Sequence, residues 1–234
     1  MAGKRSYSDP CGIARALDLV GERWALLVVR ELLLGPKRFT DLRTGLPNLS
    51  PDVLAQRLRE LEQAGVVRRR KLPPPAASRV YELSEWGREL EPVVLALGRW
   101  GSRAPFPAGD APLGVDAFVI ALETLFEPAA ADGLRAHYDL LLGEQRFSAR
   151  VGDGRLKLAR ANGADPDATI ASDPRTLASV LWHGRSLDDA LIAGAITISG
   201  SRPAAERLLA LFPAPVPPPV GTGPVGTGPV GGDS

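Results

Sequence analysis

Four polar side chains, Asp52, Gln56, Arg59 and Gln63, recur at the spacing of one face of an α-helix. Gln and Arg carry the groups that form paired hydrogen bonds with the edges of adenine and guanine in a major groove. A polar helix face of this kind is also what plain solvation would produce. The residues that follow favour the first reading. Arg68 to Lys71 form a run of four cations, and Arg79 lies just beyond a proline-rich turn. Cations on a hairpin, here Arg69, Arg70, Lys71 and Arg79, suit phosphates or a minor groove. They supply affinity and salt dependence rather than sequence choice. Thr40, Asn48, Ser50 and Pro51, in and after the preceding segment, complete the candidate set for contacts with double-stranded DNA.

Other chemistries find little support. The sequence has no GxSxG elbow, phosphate-binding loop, dinucleotide fingerprint or HExxH pair. Asp188 and Asp189 are adjacent, so they point to different helix faces and do not form an acid–base pair. The sequence gives His183, beside Trp182, no motif that would make it a catalytic proton donor. One cysteine, Cys11, excludes an internal disulfide framework, and two distant histidines, His137 and His183, disfavour a metal site. No catalytic residue, cofactor or metal is expected. Cys11 itself reads either as a packed apolar residue or as a redox-sensing thiol, with Arg15 one turn on to favour the thiolate.

The elements that would position the polar helix are legible around it. Residues 13–20 and 24–33 have helical apolar spacing, broken at Gly21 and ended by Gly35-Pro36. Residues 39–46 form a short helix with Phe39, Leu42 and Leu46 on one side, and Pro47-Asn48-Leu49 turns the chain. Ser50 suits an N-cap and Pro51 the first helical position. Leu54, Leu58 and Leu61 make the buried stripe of the next helix, which Gly65 stops. VVRRRKL and RVYELS then make a hairpin with the tip PPPAAS. Ser84 caps a final helix, EWGRELEPVVLALGRW, long enough to pack against another subunit. Helix, turn, polar helix and basic hairpin in this order describe a winged helix-turn-helix.

Composition divides the chain. Residues 1–103 carry 18 Lys and Arg against 12 Asp and Glu, whereas residues 104–234 carry 10 against 15. Only the first part is suited to a polyanion. Residues 102–114 are rich in Gly, Pro and Ala and read as a linker. Residues 115–213 mix helices with strands: a helix over 115–127, a hairpin turning at Gly152-Asp153-Gly154, a strand DATIAS, two helices, a strand AITISG and a last helix. The expected class is therefore α+β, with helices on one sheet. Residues 214–234, with a tandem GTGPV repeat and no charge until Asp233, are expected to be a disordered Pro/Gly tail. No apolar run is long enough to span a membrane, and MAGKRSYSDPCG lacks a signal-peptide core. A cytoplasmic protein is the expectation.

Residues 8–101 resemble the HxlR-type winged-helix regulators. The resemblance rests on the N-terminal cysteine, GERW…LLVVRELLLGPKRF, LSPDVLAQRLRELEQAG and the return strand YELSEWG, in that order. It implies a DNA-binding homodimer, with the N-terminal segment and the last helix at the interface. It also implies that residues 50–63 enter the major groove and residues 68–80 form the wing. Some members sense oxidants or electrophiles through the cysteine. Two departures are Gly12, where the family often has proline, and the local tip PPPAAS.

Residues 115–213 resemble the sterol carrier protein 2-like fold, on GDG, PDATIASDPRTLASVLWHGRSLDDALIAGAITISGS and AERLLALF. That resemblance implies an apolar tunnel between sheet and helices. Its candidate lining is Phe118, Leu122, Phe147, Leu181, Trp182, Leu191, Ile192, Ile198 and Phe212, residues that also serve as plain core. The leading expectation is a transcriptional regulator, a repressor by family habit, responsive to a hydrophobic small-molecule effector. The alternative is a carrier or sequestering protein that uses the winged helix chiefly to dimerise.

Overall fold

The computed structural model describes residues 6–73, 78–104, 112–161 and 165–218. The chain opens with α1 (Gly12–Val20), α2 (Ala25–Leu33), α3 (Phe39–Gly45) and α4 (Pro51–Gln63). Ser50 caps α4 by accepting the Val53 N–H at 3.4 Å, and Pro51 holds the first position. Gly65, at φ 74°, takes the left-handed turn that ends α4 and would strain any other residue. Strands β1 (Val67–Lys71) and β2 (Arg79–Leu83) pair antiparallel, Lys71 opposite Arg79. The proline tip at 74–77 lies outside the described residues.

The long final helix expected over 85–100 is instead two, α5 (Glu85–Arg88) and α6 (Glu91–Gly101). Pro92 explains the break: it has no N–H for the Arg88 carbonyl, and its ring excludes that carbonyl from a continuous helix. Leu42, Leu54, Leu58, Leu61, Val67 and Leu83 fill the core of this half with Val28, Val29 and Leu32 of α2.

The second half begins with α7 (Val115–Leu125). Strands β3 (Ala136–Leu142), β4 (Gln145–Gly152), β5 (Arg155–Ala159) and β6 (Ala168–Ser172) follow, then α8 (Pro174–Trp182), α9 (Leu187–Ile192), β7 (Ile196–Gly200) and α10 (Arg202–Leu209). The five strands form one sheet in the order β5-β4-β3-β6-β7, in which only β3 and β6 run parallel. Asp153 and Gly154, both at positive φ, make the tight β4–β5 turn. The sequence reading omitted β3, the central strand. Tyr138, Leu140 and Leu142 alternate toward the core, yet the unbroken Leu140-Leu141-Leu142 run blurs the period of two.

One boundary moves. Leu113 and Val115 already pack against the second core, as does Leu34 at the end of α2. The span 102–114 is therefore not linker throughout, and its residues 105–111 lie outside the description. Residues 213–216 run beside the end of α6, where Arg103 Nε donates to the Val216 carbonyl at 3.0 Å. Of the tail expected to be disordered from 214 on, residues 214–218 have no helix or strand and residues 219–234 lie outside the described residues. The two halves are also not separate bodies. α7 packs on α2, α3 and α6 as well as on α8 and β5. Gly98 makes the α6–α7 approach close: a Cβ there would sit 3.1 Å from the Thr124 methyl.

Candidate nucleic-acid interface

α4 presents Asp52, Gln56, Arg59 and Gln63 to solvent while Leu54, Leu58 and Leu61 are sealed in the core. The exposed side chains are held in order. Arg59 donates to Gln56 Oε1 at 2.6 Å, and Gln56 Nε2 donates to Glu60 Oε1 at 2.6 Å. Glu60 also pairs with Arg57 at 2.5 Å. A base edge meeting Gln56 and Arg59 therefore exchanges one set of hydrogen bonds for another, while Arg57 keeps Glu60 neutralised. Three carboxylates (Asp52, Glu60, Glu62) outnumber two guanidinium groups (Arg57, Arg59) on this helix. This helix carries no cationic excess, so any attraction for a polyanion on this side of the molecule would have to come from elsewhere.

The wing carries a run of cations, and pairing divides them between two faces. Arg68 lies opposite Glu82, and Arg70 shares that side; Arg69 lies opposite Tyr81 and Lys71 opposite Arg79. Glu82 is buried and binds both Arg68 Nε at 2.8 Å and Arg70 Nε at 3.0 Å. Burial pushes its carboxyl up, and the hydrogen bonds and charges of Arg68 and Arg70 more than reverse this, leaving it below the usual carboxylate range. Arg69 lies 5.1 Å from the Tyr81 ring centre and pairs with Glu62 of α4 at 3.1 Å. That pair ties the wing to the end of the polar helix. Lys71 and Arg79 are exposed and make no ion pair among the described residues. They are the free cations of the hairpin.

The remaining DNA candidates are all exposed: Thr40 on α3, and Asn48, Ser50 and Pro51 in the turn and first position of α4. Sequence reasoning passed over Arg38 and Arg43, exposed cations on either side of Thr40. Their signal was available: both are cations flanking the short helix segment that precedes α4, Arg38 at its N-cap and Arg43 in its last turn. Cys11 is exposed at the N-cap of α1, so it is not packed within its own subunit.

In the second half Phe118, Leu122 and Phe147 are fully buried, and Phe212 nearly so. The Phe118 and Trp182 rings lie 5.7 Å apart. Leu181, Trp182, Leu191 and Ile198 are half-buried at the margin of that core. Ile192 departs from expectation. It is 87% exposed, because the last turn of the short helix α9 directs it away from the sheet.

A second polar constellation was not foreseen. Glu31, buried in α2, binds Arg30 at 2.8 Å and Lys37 at 2.5 Å. Lys37 also reaches Asp116 of α7 at 2.5 Å, and Asp116 pairs with Arg160, which bonds Gln145 in turn. A Cβ on Gly45 would strike the Glu31 carboxylate, which explains the glycine at the end of α3. The clue was acids placed inside two otherwise apolar helices, Glu31 in ALLVVRELL and Asp116 in VDAFVIALETL.

A polar helix exposed beside a cationic hairpin defines a winged helix-turn-helix DNA-binding protein. The HxlR-like helix-turn-helix family model matches residues 19–106. The HTH-type transcriptional regulator YvaP of Bacillus subtilis (strain 168), itself uncharacterized, is 39% identical over 88 residues, 38% of this chain and 82% of that protein. YodB of the same organism, an HTH-type transcriptional regulator, is 38% identical over 88 residues, 38% of this chain and 79% of the relative. The solved structure of the reduced form of the transcriptional regulator YodB aligns at 37% identity with a TM-score of 0.37, over 43% of this chain and 98% of that one. The chain belongs to the HxlR-like family of DNA-binding transcription regulators.

Proposed function

We propose that the protein binds operator DNA as a homodimer and represses transcription, with its second half tuning that binding. The observation that carries the reading is the exposure of Gln56 and Arg59 on α4, next to a wing whose Lys71 and Arg79 are unpaired among the described residues. α4 reads bases and the wing holds phosphates. A homodimer is supported by two apolar stripes that face solvent. On α6 they are Val93, Leu97 and Trp100, spaced i, i+4, i+7, and on α1 Ile13 and Leu17, spaced i, i+4. Trp100 is 75% exposed, an unusual state for a large aromatic on a helix that has a core beneath it. The sterol-carrier-like reading of residues 115–213 is supported by a mixed sheet with helices packed on it. Trp182 Nε1, buried and without a hydrogen-bond partner among the described residues, leaves a donor for a ligand there. Fluorescence anisotropy on the promoter of the protein's own gene tests the central claim. Binding should be sequence-selective and weaken steeply with salt. Indifference to all duplex DNA at modest ionic strength would end it.

A further inference from the structure

We propose that the open face of the second half's sheet is a further contact surface for duplex DNA, where Arg150, Arg155 and Lys157 hold backbone phosphates outside the groove that α4 enters. The inference rests on the DNA-binding reading above and adds a second place at which the duplex is held. Residues 104–234 carry more acids than bases, yet five of their ten cations fall in the β4–β5 hairpin, residues 145–160, against one acid, Asp153. Helices α7, α8, α9 and α10 all join one core with Tyr138, Leu140, Phe147, Ala149 and Leu158, so they lie on one face of the sheet. The residues that alternate with these on β3, β4 and β5 point to the other face. Arg146, Arg150, Arg155 and Lys157 are exposed there. A Cβ on Gly152, opposite Arg155, would meet nothing within 4 Å, so that row of the sheet is open.

Strand register sets the cations side by side. Lys157 is directly opposite Arg150, and Arg150 directly opposite His137. Like charges directly opposite one another destabilise a strand pair, and an anion bridging them removes that cost. The acids of this face and its margin are engaged or lie apart. Asp139 is buried, 3.8 Å from Arg146 and 4.0 Å from His137. Asp153, in the β4–β5 turn, pairs with Arg135 at 2.5 Å. Asp167 accepts the His137 N–H at 2.8 Å. Glu144 and Asp165 lie outside the strands, Glu144 at the end of the hairpin away from Arg155. Arg150, Arg155 and Lys157 make no ion pair among the described residues.

A row of unpaired cations on a polar sheet fits a regular polyanion, and a duplex backbone is one. No large hydrophobic residue is exposed on this face among the described residues. Stacking of unpaired bases and insertion into a membrane both need such residues, so neither a single strand nor a lipid surface matches. The hairpin is also rooted near the DNA-reading half. Gln145 and Arg160, at its base, border the same cleft as Thr44 and Gly45 of α3, the helix that precedes α4. From there β4 runs eight residues to the turn, about 23 Å away at ~3.3 Å per residue. Cations spaced along such a strand pair give affinity without sequence choice, as phosphate contacts do. They add hold on the DNA beside the operator and leave base readout to α4.

The test uses the full chain with a promoter duplex, a duplex of unrelated sequence and a single strand of equal length. Anisotropy across a salt series reads the number of phosphates held. Arg150→Gln, Arg155→Gln and Lys157→Gln together should lower the slope of log affinity against log salt by about 2–3 and weaken binding to both duplexes about tenfold or more. Each single substitution should lower the slope by about one. Arg150→Lys with Arg155→Lys keeps the charges and should keep the slope. Arg175→Gln with Arg202→Gln removes two cations from the helix-covered side and should leave it unchanged. Hydroxyl-radical footprints on the promoter should shorten at their outer edges in the triple variant and keep their centre. The three side chains are exposed and unpaired among the described residues, so the thermal midpoint of the triple variant should not fall. An unchanged slope or unchanged footprint edges in the folded triple variant, a loss confined to the single strand, or an equal loss in the Arg175 and Arg202 variant overturns the proposal and leaves the DNA-binding reading standing. A wild type indifferent to all duplex DNA overturns both.

Discussion

Glu123 on α7 makes stability depend on pH in a direction opposite to that of a salt-bridged acid. Burial first, and the Glu91 carboxylate of α6 second, push its carboxyl up from 4.5 to about 7. Between those values the folded state holds a proton that the unfolded chain has released. Stability is therefore highest below pH 4.5, as far as this group is concerned, falls as pH rises through about 7, and then levels off. At about 1.36 kcal/mol per pH unit the whole effect is roughly 3 kcal/mol. Water reaching a half-buried side chain makes this an upper bound. Glu123→Gln removes the titration. Urea unfolding followed by circular dichroism at pH 5 and pH 8 should show the variant gaining on the wild type, by roughly 1–3 kcal/mol, only at the higher pH. Glu91→Gln should recover a smaller part of the same gain, because it removes the second cause and leaves the first. If the advantage of Glu123→Gln over wild type were equal at both pH values, the assignment of a raised carboxyl at this helix contact would be refuted.

The remaining predictions concern the DNA side of the molecule. Gln56→Ala and Arg59→Ala should each cost about 1–3 kcal/mol on the preferred operator and far less on unrelated DNA, as competition anisotropy would show. Equal losses on both sequences would mean that α4 does not read bases. Glu82→Gln should release Arg68 and Arg70 toward phosphates, strengthening non-specific binding and steepening the salt dependence by about one or two contacts' worth. An unchanged slope would place that face of the wing away from DNA. Leu97→Glu puts a charge in the middle of the exposed α6 stripe. It should shift a dimer to monomer in analytical ultracentrifugation while leaving the monomer folded; an intact dimer would move the interface elsewhere. Ser50→Ala should lower stability by about 1 kcal/mol through loss of the α4 cap, measured by the same urea titration.

The sequence by itself determined the winged helix closely. Cap, proline, leucine stripe and terminating glycine are local signals, each acting within a few residues, so α4 could be placed from Ser50, Pro51, Leu54 and Gly65 alone. Its polar face followed from the same periodicity, since whatever lies opposite a buried stripe faces water. The broken last helix could have been read too, because Pro92 acts locally. Tertiary structure decided what depends on partners distant in the chain. Strand pairing divided the four cations of β1 between two faces, gave two of them to Glu82 and a third to Glu62, so that a charge run became three paired arginines and Lys71, which makes no ion pair among the described residues. The central position of β3 arose from neighbours on both sides, one of them some thirty residues on. The chain Arg30–Glu31–Lys37–Asp116–Arg160 joins groups from both halves. Periodicity records which side of an element is buried, but ion pairs and clefts depend on which elements meet, and only the folded chain brings those side chains within a few ångströms of one another.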